Sequence, residues 1–239
     1  MNIYAINDIG ELIKDNSYVG RGIVIGKTAD GKKAATAYFI MGRSENSRNR
    51  IFTEKDGEVY TEPFDASKVE DPSLIIYAAI RKIDNKLIVT NGDQTDTIYD
   101  FIKDGKCFNQ ALKTREFEPD SPNFTPRISG ILKFCDGDFS YDMSILKSID
   151  AEGSDCARYL FSYPSKAGLG HFIHTYVCDG NPIPSFEGEP EQVAMPNSAE
   201  ELADLVWQNL NEDNKVSLFV RSVPLDGSKP TEIIINKNQ

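Results

Sequence analysis

Gly22-Ile-Val-Ile-Gly26, then Thr28-Ala-Asp-Gly-Lys32, then Ala34-Ala-Thr-Ala-Tyr-Phe-Ile-Met41 is the stretch that decides how the rest of the chain is read. Two apolar runs of strand length flank Asp30-Gly31, and an Asp-Gly pair between such runs signals a β-hairpin. The same device recurs along the chain. Ser73 to Ile83 and Lys86 to Thr90 flank Asp84-Asn85, Arg127 to Phe134 runs into Asp136-Gly137, and Val216 to Val223 and Glu232 to Ile235 flank Asp226-Gly227. Arg158 to Tyr163 and His171 to Cys178 read as two further strands, joined by a loop from Pro164 to Gly170.

Helical spacing is confined to a few segments. Residues 1–18 form a short helical or extended lead-in. Thr95 to Lys103 carries Ile98, Phe101 and Ile102 on one face and stops at Gly105, and a second short helix spans Phe108 to Lys113. Ser198 to Leu210 is the clearest helix: Ser198 with Glu201 makes a capping box, and Leu202, Leu205, Val206 and Leu210 share one face. Residues 53–72 are polar, contain Pro63 and Pro72, and read as loop and edge structure; residues 179–197 read as a proline- and glycine-rich loop. Strands arranged in hairpins, with helices set apart, predict an α+β fold of antiparallel sheets covered by helices. No linker is long enough to force a division, so residues 1–239 are read as one domain.

The chain is 40% hydrophobic and 26% charged, the balance of a globular protein with a substantial core. Its formal net charge of −11 argues against binding nucleic acid through phosphates, which needs a basic face. A local basic pocket can still hold a single phosphate. Cys107, Cys135, Cys156 and Cys178 are irregularly spaced with no Cys-x-x-Cys, so neither a zinc site nor a redox pair is expected. No apolar run is long enough to span a membrane. The N-terminal segment carries Asp8 and Glu11 where a signal peptide would be basic and then apolar. A cytoplasmic protein with reduced cysteines is expected.

Four polar motifs sit where strands end or begin, the usual place for a site. Gly42 to Arg50 (Gly-Arg-Ser-Glu-Asn-Ser-Arg-Asn-Arg) holds Arg43, Arg48 and Arg50, either an oxyanion-capturing loop or a solvated one. Asn91 to Asp96 (Asn-Gly-Asp-Gln-Thr-Asp) is a strand–turn–helix junction in which Gly92 gives conformational freedom and Asp93 or Thr95 caps the helix. Its helix start either attracts an anion or is simply capped. Glu118 to Ile128 (Glu-Pro-Asp-Ser-Pro-Asn-Phe-Thr-Pro-Arg-Ile) is stiffened by Pro119, Pro122 and Pro126, which suits a preorganised site or a structural Glu–Arg pair. Pro184 to Pro190 (Pro-Ser-Phe-Glu-Gly-Glu-Pro) is the fourth. Tyr77, by residue type alone, is a core tyrosine or a catalytic one. His171 and His174 fall on opposite faces of a strand, which disfavours a two-histidine metal site. There is no Gly-x-Ser-x-Gly elbow for a serine hydrolase.

Taken in order, Tyr18 to Lys27, Arg43-Ser44, Asn91 to Asp96, Asn123 to Ile128 and Pro184 to Pro190 resemble the archaeal-type IMP cyclohydrolases, from about Tyr18 to about Val193. The lead-in and the part beyond Ser198 fall outside the resemblance, and Asp93-Gln94 stands where archaeal members are expected to carry smaller or basic residues. The resemblance implies a four-layer α/β/β/α sandwich similar to the N-terminal-nucleophile (Ntn) hydrolases but lacking their nucleophile. Met1-Asn2 agrees, since removing Met1 would expose no Ser, Thr or Cys. The implied reaction is ring closure of 5-formamidoimidazole-4-carboxamide ribotide to inosine monophosphate, with loss of water and no metal or organic cofactor. By position, Tyr77 and Glu118 are expected to transfer and orient protons, and Arg43 to hold the formyl oxygen or the phosphate. Asn91, Thr95 and Asp96 would line the ribotide, while Asn123, Thr125 and Arg127 would hold the carboxamide or the phosphate. The partner implied is a small ribonucleotide, with a homo-oligomer as the default assembly. The alternative is a paralogous nucleotide-binding protein or amidohydrolase-like enzyme that keeps the scaffold and changes the ligand.

Overall fold

The computed structural model describes residues 4–69 and 76–239. The hairpin read first is β1 (Arg21–Lys27) paired antiparallel with β2 (Lys33–Met41). Around it, β10 (Leu169–His174), β11 (Glu191–Ala194), β12 (Lys215–Pro224) and β13 (Thr231–Asn236) complete a six-stranded sheet in the order β11-β10-β1-β2-β12-β13. The second sheet is a seven-stranded meander of β3 (Ile51–Lys55), β4 (Glu58–Glu62), β5 (Tyr77–Ile83), β6 (Lys86–Thr90), β7 (Arg127–Cys135), β8 (Asp138–Ser148) and β9 (Cys156–Pro164), in chain order. All the named strands pair antiparallel.

The period-2 alternation of a strand sorts the side chains into layers. Ile23 and Ile25 of β1, Tyr38 and Ile40 of β2, and Phe139, Tyr141, Met143 and Ile145 of β8 all face the space between the sheets and share one core. Val24, Phe39 and Met41 point the other way, onto α1 (Ile9–Ile13) and α5 (Ala199–Asn209). On the far side, Ile88, Ile131 and Leu146 meet α3 (Gln94–Lys103) and α4 (Phe108–Leu112). Helices therefore cover the outer faces of two antiparallel sheets, and each large apolar side chain buried in these layers contributes about 1.5–3 kcal/mol.

Several elements differ from the sequence reading. Residues 53–62 belong to a hairpin, β3–β4, turned by Asp56-Gly57 with both residues at positive φ. Lys55 and Glu58 on its other face, with the exposed Glu54 near the turn, masked the inward Phe52 and Val59. The 11-residue β8 was not expected, although Phe139, Tyr141, Met143 and Ile145 alternate cleanly. β11 is a four-residue edge strand inside the expected loop. β10 stops at His174, because the chain leaves the sheet for a bridge between Tyr176 and Ser185. Of the strand read from Ser73, the part before Ile76 lies outside the described residues. Ser198 caps α5 by accepting from the Glu201 backbone, while the Glu201 carboxylate reaches back to the Asn197 backbone rather than to Ser198.

Candidate functional site

The start of β1, the end of β2, the approach to β3, the start of β7 and the end of β10 lie at one end of the sandwich. The loops there enclose a polar pocket of about 290 Å3, lined by residues that include Tyr18, Arg21, Arg43, Asn46, Arg50, Glu118, Asn123, Thr125 and Tyr176. A larger recess of about 550 Å3 lies at the opposite end, among the turns at Asp84-Asn85, Asp136-Gly137 and Leu225 to Pro230. Its walls are largely apolar, and its buried cation Arg221 already pairs with Glu232 at 2.8 Å. The smaller, polar pocket is the better place for an anionic ligand.

The floor of that pocket is built from charge that the protein leaves unpaired. Arg21 is 7% exposed and Arg50 5%, yet the Nε atoms of both are buried without a hydrogen-bond partner among the described residues. Burial, and then the neighbouring Arg21 charge, push the Arg50 guanidinium below its ordinary range. Two neighbouring buried cations whose Nε atoms lack partners among the described residues form a ready anion site, because a bound oxyanion would remove both costs at once. Asn46 Oδ1 is likewise buried and unpartnered at the wall.

Glu118 is the acid among these cations. It is 7% exposed, and no hydrogen bond or ion pair holds its carboxyl among the described residues. Burial raises its pKa, against the opposing charges of Arg21, Arg127 and Arg50 and with help from Asp120. A carboxyl pushed up by burial and left free to move its proton is suited to general acid–base work.

Its loop is stiff, as the prolines implied. Asp120 accepts the Thr125 backbone N–H at 2.6 Å and also bonds the Thr125 hydroxyl, while the Glu118 backbone donates to Thr125 O at 2.9 Å. The Thr125 hydroxyl meets the Tyr176 hydroxyl at 2.6 Å. Asn123 Oδ1 accepts the Ile183 backbone N–H at 3.2 Å, tying the loop to the segment after β10. The arginine-rich loop divides its cations by direction. It opens with α2 (Glu45–Arg48), capped by Ser44 and Ser47 reciprocally. Arg43 lies at the rim over the Tyr18 ring, bonded to Asp179 and to Gly180 O. Arg48 turns away to Gly42 O and Asn214, and only Arg50 reaches the floor. In the fourth motif, Phe186 enters the inter-sheet core and its carbonyl accepts from Lys147 at 2.7 Å, so that motif supports the pocket wall.

Of the residues singled out from sequence, Glu118, Arg43, Asn123 and Thr125 come together at this pocket. Tyr77, the first residue of β5, lies behind it with its hydroxyl 2.8 Å from that of Tyr38. Burial, then Tyr77, keep the Tyr38 phenol protonated well above its usual range. Asn91, Thr95 and Asp96 do not line the pocket. Asn91 ties the ends of β6 and β7 through Pro126 O and the Ile128 N–H, each at 2.9 Å. Thr95 bonds the Thr90 hydroxyl at 2.6 Å, and Asp96 pairs with Arg81 at 2.9 Å on an exposed flank. The physical reason is that a strand–turn–helix junction must satisfy its own buried backbone groups first. Arg127 is buried in the same junction, 2.7 Å from Gln94 Oε1 and 2.7 Å from Asp93 Oδ1. Asp93 occupies the cap position of α3 but makes no capping bond. Arg21 and Arg50 were missed as a pair, because sequence shows neither which arginine of a loop turns inward nor that two distant ones meet. His171 contacts Tyr141 and His174 contacts Phe186, so the two histidines diverge as expected. Among the described residues no three His, Cys, Asp or Glu side chains converge as metal ligands.

Gly92 is needed for space rather than for an unusual φ. A Cβ there would overlap Arg127 Nη1, come within 2.7 Å of Gln94 Oε1 and stand 3.5 Å from Glu118 Oε1. Gly92→Ala is therefore expected to cost about 1–3 kcal/mol by overpacking, read as a lower urea midpoint at unchanged slope.

With this geometry in place, comparison with known proteins decides the family. The family model described as IMP cyclohydrolase-like protein matches residues 18–227. The chain belongs to the IMP cyclohydrolase-like family. It is similar to the IMP cyclohydrolase of Methanocaldococcus jannaschii, 29% identical across 89% of this chain and 96% of that protein. It is 32% identical to the IMP cyclohydrolase of Methanopyrus kandleri, across 71% of this chain and 89% of the relative. The corresponding protein of Methanococcus aeolicus is 30% identical across 67% and 75%. The matched region contains every residue named in the pocket.

Proposed function

We propose that this family member closes 5-formamidoimidazole-4-carboxamide ribotide to inosine monophosphate with release of water. The observation that carries the reading is the convergence on a single pocket of two buried arginines, whose Nε atoms lack partners among the described residues, and one buried carboxyl that no hydrogen bond or ion pair holds among those residues. Ring closure needs this combination. The carboxamide nitrogen is a poor nucleophile, so the pocket must hold it against the formyl carbon, a proximity effect. Protonated Glu118 gives its proton to the formyl oxygen as the nitrogen adds to carbon. The carboxylate then takes a proton from the attacking nitrogen and returns it to the new hydroxyl, which leaves as water while the ring C=N bond forms to the former formamido nitrogen. That nitrogen gives its proton to Glu118, which ends protonated as it began. Arg21 and Arg50 hold the phosphate, and Arg43, Asn123 and Thr125 hold the polar groups of the base. Tyr77, with Tyr38 behind it, orients the proton donor. Asn91, Thr95, Asp96 and Arg127 keep the floor in place. The layered sheets serve as one domain on an Ntn-hydrolase-like scaffold. The protein works in the reducing cytoplasm as a homo-oligomer, without an added cofactor.

The phosphate assignment is tested by calorimetric titration with inosine monophosphate and with inosine. Loss of the phosphate removes charge-assisted hydrogen bonds, each contributing about 1.5–3 kcal/mol. Inosine should therefore bind at least about tenfold more weakly. Equal affinities would show that the arginines do not read phosphate.

A further inference from the structure

The Asp93 carboxylate lies between two arginines. Arg115 Nη2 reaches both of its oxygens at 2.6 Å, and Arg127 Nη1 reaches Oδ1 at 2.7 Å. Gln94 Oε1 accepts from the same Arg127 nitrogen at 2.7 Å. Arg127 is thus committed away from Glu118, although both side chains border Gly92 and no ion pair joins them among the described residues. Gly92 supplies the gap through which the two groups sense one another.

We propose that Asp93, locked by Arg115, is a positioning residue that holds the Arg127 guanidinium off the Glu118 carboxyl and so sets the pH at which Glu118 exchanges its proton. The proposal rests on the reading of Glu118 as the proton-transfer group. The charges facing Glu118 are Arg21 from β1, Arg50 before β3, Arg127 from β7 and Asp120 from its own loop. Arg21 and Arg50 await the anionic ligand, and Asp120 is bonded to Thr125. Arg127 is the cation among them whose charge is shared with a protein carboxylate. Burial works against ionisation of Asp93, but Arg127 and Arg115 more than offset it and hold its pKa low. Asp93 therefore stays an anion across the working range.

Two substitutions move Glu118 in opposite directions. Asp93→Asn removes a nearby anion and frees Arg127, which favours the Glu118 carboxylate and lowers its pKa. Arg115→Gln leaves Asp93 to neutralise Arg127 alone and removes a nearby cation, which raises it. The Glu118 carboxyl is followed by 13C NMR of glutamate-labelled protein, assigned with Glu118→Gln, alongside the pH profile of kcat/KM. Expected shifts are about one pH unit, equal to 1.36 kcal/mol, down for Asp93→Asn and up for Arg115→Gln. A purely structural clamp would lower the melting temperature in both and leave the Glu118 midpoint in place, which would overturn the proposal, as would shifts of the same sign. If Asp93→Asn does not fold, the partly exposed Arg115 still gives a decisive variant, since its midpoint must rise. The NMR titration needs no turnover, so opposite shifts in a protein that forms no inosine monophosphate would uphold the clamp and reject the reaction.

Discussion

Glu118→Gln is expected to lower kcat by about 10²–10⁴-fold, the usual contribution of a positioned acid–base group, while affinity for inosine monophosphate stays nearly unchanged. Glutamine keeps the shape of the carboxyl and its capacity to hydrogen-bond but cannot carry a proton. The wild-type protein should lose kcat/KM as pH rises through the Glu118 pKa, because the acid form acts first. Burial raises that pKa above its ordinary value in the free protein, and a bound phosphate raises it further by adding negative charge, so the corresponding limb of kcat should lie at higher pH than that of kcat/KM. The residual activity of the variant should lack this limb. Stability carries the same signature. A carboxyl with a raised folded-state pKa contributes stability that is fully present below its unfolded value. That contribution is lost as pH rises through the folded value. Empty wild-type protein should therefore lose stability across that window relative to Glu118→Gln, measured by denaturant titration at several pH values.

Arg50→Met should separate stability from function. Met fills a similar volume without the buried unpaired charge. Removing it relieves both causes of the lowered Arg50 pKa, burial of the charge first and repulsion from Arg21 second. Replacing buried charge by a packed apolar side chain is often stabilising by about 1–4 kcal/mol. In a chain of this length each kcal/mol raises the melting temperature by about 2–4 °C. Loss of a buried charged contact to the ligand costs about 2–5 kcal/mol, so affinity for inosine monophosphate should fall at least about 30-fold. Higher melting temperature with lost binding is the expected result in thermal-shift and calorimetric measurements. A fall in both would mark Arg50 as structural, its unpaired state unrelated to a ligand.

The fold was legible where turn chemistry and alternation agreed. Asp30-Gly31, Asp136-Gly137 and Asp226-Gly227 each mark a real hairpin, and the capped α5 stands where its apolar face placed it. The β3–β4 hairpin was hidden because an edge strand presents charge to water. β8 was overlooked despite its alternation, because its polar outward residues resemble a loop when read singly. The site was legible as a set of loops but not as a set of directions. Arg48 and Arg50 are two residues apart, and only Arg50 enters the pocket. Arg21 sits inside an apolar strand segment, where its pairing with a loop arginine 29 positions later depends on sheet closure. Asn91 and Thr95 have the residue types of ligand contacts, yet the junction they occupy consumes their hydrogen bonds. Asp93, read as one of two alternative caps with Thr95, stands at the cap position but spends its carboxylate on two arginines.

Glu118, Arg21 and Arg50 together make the proposed ring-closing centre. Mixing purified, chelator-treated protein with 5-formamidoimidazole-4-carboxamide ribotide and following the product by absorbance tests it directly. The expected result is catalytic formation of inosine monophosphate that falls about 10²–10⁴-fold in Glu118→Gln and is retained in a substitution far from the pocket. Folded protein that binds inosine monophosphate but produces none, or a Glu118→Gln protein with full turnover, would contradict it.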